Sequence, residues 1–134
     1  NKKYLKMKFW EDLKLNNKRI GNNFEKEFAK ILADEGFWVT LLTPKTYIGS
    51  QPADLIAVKN DKAILIDCKT CNNYLFPLSR IEQNQIEASR KFFECGNTKY
   101  YIAIKYNKDI YLIPINKIDF YEKSIDLRLQ KKWM

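Results

Sequence analysis

Residues Ala53 to Lys69 leave this chain few ways to fold. Two largely apolar runs, Ala53-Asp54-Leu55-Ile56-Ala57-Val58-Lys59 and Lys62-Ala63-Ile64-Leu65-Ile66-Asp67-Cys68-Lys69, flank Asn60-Asp61. The stretch reads as strand, turn, strand. A two-residue turn at Asn60-Asp61 pairs Lys59 with Lys62, and counting outward sets Asp54 opposite Asp67. Opposed residues of an antiparallel pair have Cβ atoms roughly 4.5 to 5.5 Å apart. Side chains alternate faces along a strand, so Lys69, two residues past Asp67, shares the face of both carboxylates.

Two ionised carboxylates at that spacing repel, and a divalent cation between them relieves the repulsion. Oxygen ligands supplemented by water suit Mg²⁺ or Mn²⁺, ions that commonly bridge to a substrate phosphate. A protonated lysine does not ligate such an ion; it orients a water or offsets charge on a phosphate oxygen. Each acid taken alone is more often a solvated charge on a hairpin. The shared register and face make the set point to a metal-dependent nuclease.

Away from its charged end the hairpin is apolar on both faces, with Ile56, Val58, Ala63 and Leu65 on one and Leu55, Ala57, Ile64 and Ile66 on the other. Strands covered on both sides belong to an α/β sandwich. Phe24, Phe28, Ile31 and Leu32 recur at helical spacing after Asn22 or Asn23, and Gly36 ends that helix. Phe37 to Leu42 reads as a strand, Thr43 to Gln51 as a loop, and Thr70 to Leu78 as a second loop. Ser79-x-x-Glu82 has the spacing of a capping box for a helix running to about Cys95 and Gly96. Tyr100 to Tyr106 and Ile110 to Pro114 form a hairpin around Asn107-Lys108-Asp109. The expected order is α, then β-β-β, then α, then β-β.

Pro52-Ala53-Asp54 with Asp67-Cys68-Lys69 resembles the PD-(D/E)xK nuclease signature, with one residue inserted after the proline and aspartate where glutamate is commoner. Gly21-Asn22-Asn23-Phe24-Glu25 is similar to the Gly-x-x-x-Glu helix of archaeal Hjc-type Holliday junction resolvases. Phe76-Pro77-Leu78 with Gln85-Ile86-Glu87 resembles a stretch of the bacterial and phage RecU-type enzymes. The resemblance spans about residues 20 to 118. It implies an α/β, restriction-endonuclease-like core: a central mixed β-sheet of about five strands flanked by helices. It also implies that Asp54, Asp67 and the main-chain carbonyl of Cys68 hold Mg²⁺ or Mn²⁺, that Glu25 approaches from the first helix, and that Lys69 is the catalytic lysine. Gln85 matches a glutamine near the site, with Gln83 as its alternative. Ser50 or Thr43 matches a polar residue of the preceding loop. The implied activity is cleavage of four-way DNA junctions by a homodimer, with no small-molecule cofactor. Another nuclease of the same core, restriction-like, repair or flap, is the first alternative. A basic DNA-binding module without catalysis is the second.

Composition agrees with this reading. The chain has 134 residues, enough for one domain, and 24 Lys and Arg against 16 Asp and Glu leave a net charge of +8. With the acids gathered in a site, the remaining surface is strongly basic, as binding to a phosphate backbone requires. Lys45, Lys59, Lys62 and Arg80 are candidate DNA contacts, together with Ser50. The chain has no histidine, which excludes Ser-His and Cys-His nucleophiles and histidine-based metal motifs. Cysteines 68, 71 and 95 are odd in number and no apolar run is long enough to span a membrane, so a reducing, cytoplasmic setting is expected, in a bacterial, archaeal or phage-infected cell. Cys68 reads as a buried apolar residue rather than half of a zinc or redox pair. Residues 1–20 read as a basic amphipathic extension, packed on the core or lying across DNA, residues 21–118 as the nuclease core, and residues 119–134 as a basic helix or tail.

Overall fold

The structure, a computed structural model, describes residues 23–42 and 51–133. The expected N-terminal extension, and Thr43, Lys45 and Ser50 of the first loop, lie outside the described residues. Helix α1 occupies residues 23–34. It is followed by β1 (Trp38–Leu41), β2 (Leu55–Lys59), β3 (Lys62–Cys71), β4 (Leu75–Pro77), α2 (Gln83–Glu94), β5 (Tyr100–Tyr106), β6 (Asp109–Pro114) and β7 (Ser124–Asp126). Five strands form one mixed sheet in the order β1-β2-β3-β5-β6. All its neighbours are antiparallel except β3 and β5, which run parallel on either side of α2 in sequence. Among the described residues no helix is long and apolar enough to cross a membrane.

The β2-β3 hairpin has the register counted from its turn, from Lys59↔Lys62 to Leu55↔Ile66. Asn60 and Asp61 both have positive φ, 52° and 63°, the backbone that matches a two-residue connection to the twist of its strands. The two faces are buried as their alternation requires. Phe24, Phe28 and Leu32 of α1 pack on Leu55, Ala57, Ile66, Ala103 and Ile110, and the opposite face carries Leu65, Ile102 and Ile104 beneath Ile86, Phe92 and Phe93 of α2.

Three expectations are corrected. The stretch from Thr70 is not a simple loop: β3 continues to Cys71 because β5 pairs with it that far, and Leu75–Pro77 forms β4, paired with β7 in a small second sheet. The capping box lies three residues later than Ser79-x-x-Glu82. Ser79 falls in a 3-10 turn (Leu78–Arg80), and α2 is capped by Glu82, whose carboxylate accepts from the N–H of Gln85 while the Gln85 amide returns to the Glu82 N–H. The sequence rule wants Ser or Thr at the cap, which Ser79 meets and Glu82 does not; the buried Leu78 and Ile81 fix the turn before the helix and leave Glu82 at the cap.

The C-terminal residues expected as a basic helix or tail instead supply β7 and a 3-10 turn at Leu127–Leu129. They belong to the core. Leu127 is completely buried, the Trp133 N–H donates to the Ile110 carbonyl at 2.8 Å, and the Trp133 ring stands edge-on to Phe28 at 5.2 Å. A local sequence reading missed them because the pairing that orders β7 comes from β4, far away in the chain. Leu127→Ala is expected to cost about 2–5 kcal/mol, the range for emptying a buried leucine site, measured by urea unfolding. Unchanged stability would show that this segment lies on the core without completing it.

Candidate active site

The site is built where β2 stops and β3 continues. The regular ladder ends at Leu55↔Ile66, and Asp54 lies one residue beyond it, its N–H donating to the Ile66 carbonyl at 3.0 Å and its own carbonyl accepting from Leu42 at 2.8 Å. Its side chain reaches across to β3: Oδ2 accepts from the Cys68 N–H at 2.8 Å and Oδ1 from Gln51 Nε2 at 3.1 Å. The extrapolated opposition of Asp54 and Asp67 thus becomes a hook over the end of the hairpin. The two acids remain neighbours.

Asp67 is buried, only 2% exposed. Its Oδ1 accepts from Gln85 Nε2 at 2.7 Å, and its Oδ2 is 3.1 Å from Lys69 Nζ. The ammonium lies within ion-pair distance but outside hydrogen-bonding geometry, so Oδ2 is a buried oxygen with no hydrogen-bond partner among the described residues. Such an atom calls for an explanation. Burial, then the charge of Asp54, pushes the Asp67 carboxyl up to about 8, and Lys69 only partly opposes this. Glu25 of α1 is pushed up to about 7, again by burial and then by Asp54. Asp54 therefore acts on both other acids, and three carboxyl groups share one region of the sheet edge.

Both ends of the Gln85 amide are engaged. Its Oε1 accepts from the Glu82 N–H at 2.8 Å, so its amide nitrogen is the end that meets Asp67. The assignment of amide ends is fixed by its partners. Gln83, the alternative, lies on the exposed side of α2, with its amide 3.5 Å from Glu87 Oε1. The Cys68 side chain, partly rather than fully buried, packs against the α1 face of the core, where burial holds its thiol well above the ordinary range. The contact its main chain makes to the site is through the N–H, not yet through the carbonyl assigned by resemblance.

Of the expected DNA contacts, Arg80 lies beside the site, its Nη1 donating to the Thr70 carbonyl at 2.6 Å. Lys59 and Lys62 do not. They stand at the turn, the other end of the hairpin, and Lys59 Nζ donates to the Glu35 carbonyl at 2.7 Å while lying 5.2 Å from the centroid of the Phe37 ring. The sequence reading overlooked Tyr100, fully buried on β5, whose hydroxyl donates to the Pro52 carbonyl at 2.6 Å. It also overlooked Gln51, which bonds the Ala53 carbonyl at 2.6 Å as well as Asp54. Both hold the approach to Asp54. Gln51 was adjacent to the recognised motif; nothing local marks Tyr100.

Among the described residues no three Cys, Asp or Glu side chains close into a ready cage for a metal ion. The donors are hard oxygens, two acids are crowded, and one buried oxygen is left over. That set fits a cation such as Mg²⁺, which takes one or two carboxylates and keeps several waters, better than an ion needing a full protein cage.

The raised acids give a signed pH dependence. Folded Asp67 and Glu25 hold their protons to about 8 and about 7, whereas an unfolded chain releases them near 4. The folded state therefore binds more protons across that interval, and stability falls as pH rises from about 4 to about 8, levelling above it. In chelator-treated protein, Asp67→Asn keeps an acceptor for Gln85 and removes the buried charge. It is expected to be more stable than the parent at pH 8 to 9, with the difference closing toward pH 4. Denaturation curves at a series of pH values measure this, and a parent profile flat over the interval contradicts it.

A family profile described as "Archaeal holliday junction resolvase (hjc)" matches residues 16–132. The chain is 34% identical over 95 residues to the crossover junction endodeoxyribonuclease Hjc of Methanocaldococcus jannaschii, an alignment covering 71% of this chain and 65% of that protein. It thus spans just under two thirds of that relative's length. The solved structure of Hjc, a Holliday junction resolvase from Archaeoglobus fulgidus, superposes with a TM-score of 0.64 at 20% identity, covering 81% of this chain and 88% of that one. That likeness establishes the restriction-endonuclease-like core. With the profile extending over nearly the whole chain, from before α1 to beyond β7, the chain belongs to the archaeal Holliday junction resolvase family.

Proposed function

We propose that this protein is a metal-dependent, structure-selective endonuclease that hydrolyses phosphodiester bonds of four-way DNA junctions. Membership of the resolvase family supports the reaction and the substrate. The observation that carries the site is the buried Oδ2 of Asp67, which accepts no hydrogen bond among the described residues and faces only the Lys69 ammonium at ion-pair distance, beside Asp54. A nuclease needs such an oxygen available; a DNA-binding module without catalysis would gain by replacing Asp67 with an apolar residue.

In this reading Asp54 and Asp67 hold Mg²⁺ or Mn²⁺, with the Cys68 carbonyl as a main-chain ligand and Glu25 as a further carboxylate from α1. When bound, the cation supplies Lewis acidity toward the phosphate and makes water more acidic. Gln85 occupies Asp67 Oδ1 and so fixes which oxygen faces the cation. Lys69, held against Asp67 Oδ2, orients the attacking water or offsets the charge gathering on the phosphate oxygens. The raised affinity of Glu25 and Asp67 for protons makes cation binding compete with protonation, so cleavage strengthens from pH 6 toward pH 8 or above.

A junction needs two opposed strands cut, and two sites related by a twofold axis meet that need, so we take the working unit to be a homodimer. Junction selection then comes from shape and phosphate contacts, with little reading of bases. The decisive experiment compares a four-way junction with linear duplex of the same sequence, in Mg²⁺ and in EDTA. The junction is expected to be cut selectively and only with the metal. Asp67→Asn and Lys69→Ala are expected to lower the cleavage rate by about 10²-fold or more while junction binding by gel shift persists. Equal cutting of duplex removes the junction assignment, and undiminished cleavage by both variants removes the site.

A further inference from the structure

Three arginines lie among the described residues, and two of them are neutralised. Arg90 pairs with Glu87 and Glu94, and Arg128 pairs with Asp126 through Nη2 and Nε. Arg80 makes no ion pair with a described carboxylate, yet it is not loose. Its Nη1 donates to the Thr70 carbonyl at 2.6 Å, and its guanidinium lies 5.2 Å from the centroid of the Phe76 ring. Its backbone is pinned as well. Leu78 and Ile81 on either side are buried, the Leu78 N–H donates to the Lys123 carbonyl at 2.9 Å, and β4 just before is paired to β7.

The anchor also has a direction. Main-chain groups of alternate strand residues point to the same side. On β3 the Ile66 carbonyl and the Cys68 N–H both face Asp54, and Thr70 shares their parity. Strand β2 has ended before that point, so Thr70 presents its carbonyl on an edge of β3 that no described strand pairs, about 6–7 Å along the strand from Cys68. Arg80 thus holds a guanidinium on the same edge as the carboxylates, displaced by about one nucleotide step of a DNA backbone. Guanidinium carries five donors, and the carbonyl engages one. The rest form a fork of the kind that binds a phosphate through two parallel hydrogen bonds.

We infer that Arg80 is a substrate-positioning residue, clamping the phosphate next to the scissile one on the same DNA strand. This rests on the nuclease reading above. Lys69 serves the phosphate being cut and Arg80 its neighbour, so that the strand is held at two points across the metal-binding edge. The small β4-β7 sheet then has a purpose in the reaction, because it fixes the turn that carries this cation.

The test is a single-turnover cleavage assay on a junction carrying a neutral methylphosphonate in place of the phosphate on either side of the scissile one. The parent should cut the unmodified junction, which is the control for the nuclease reading itself. One of the two neutral linkages should slow it by about 10-fold or more, the equivalent of one charged hydrogen-bonded contact. Arg80→Gln, which keeps an N–H donor for the Thr70 carbonyl and loses the charge, should cut the unmodified junction more slowly by a similar factor. It should then be nearly indifferent to that same methylphosphonate. Arg80→Lys should restore the salt dependence of binding, which drops by a slope of about 0.9 when the charge is lost, without restoring the rate. If Arg80→Gln slows cleavage and the neutral linkage slows it again by the full factor, the two act independently and the clamp is overturned. Equal cleavage by Arg80→Gln and parent overturns it too, as does indifference of the parent to both neutral linkages.

Discussion

Burial of an acid next to another acid is the constraint on which this structure turns. Asp67 lies in the sandwich between sheet and helix, where burial and the charge of Asp54 both favour its neutral form. Neighbouring contacts reduce the penalty without removing it: Gln85 bonds one oxygen, Lys69 faces the other, and the Cys68 N–H satisfies Asp54. A fold selected for stability alone would place an apolar residue at this position. Under the proposed function, a cation would supply the missing part of the balance.

Much of this was legible in residues 53–69, because a two-residue turn leaves no freedom in the register on either side of it. Once Asn60-Asp61 is the turn, the pairing of Lys59 with Lys62 and the faces of Leu55 to Ile66 follow, and with them the nearness of Asp54, Asp67 and Lys69. The limit of that logic was the ladder's last rung. Pairing patterns presume regular backbone, and the strand becomes irregular at Asp54, where the side chain takes over from the main chain in holding β3. Glu25 and Gln85 needed a family likeness to be noticed, since each looks locally like an ordinary helix residue.

What stayed hidden depends on contacts distant in sequence. β4 and β7 are three-residue strands with no alternation long enough to detect, and each exists because of the other. Tyr100 reads as one more aromatic in a buried strand, yet its hydroxyl meets the carbonyl of a residue 48 positions earlier. Lys59, expected at a phosphate from its charge, donates to the Glu35 carbonyl at the end of α1, a contact that nothing local in the sequence marks. Lysine charge says little about a partner until geometry shows which acceptors are near.

The double engagement of Gln85 ties the Asp67 carboxylate to the way a helix begins. A glutamate at this position would complete the cap equally well, but it would bring oxygen against oxygen at Asp67. The helix is indifferent to amide or acid; the neighbouring strand is not. Helix ends are also where native proteins loosen first. A transient fraying of the opening turn of α2 would release Asp67 while the sheet stayed intact, so the proposed activity would be lost to a local motion that a measurement of global unfolding would never register.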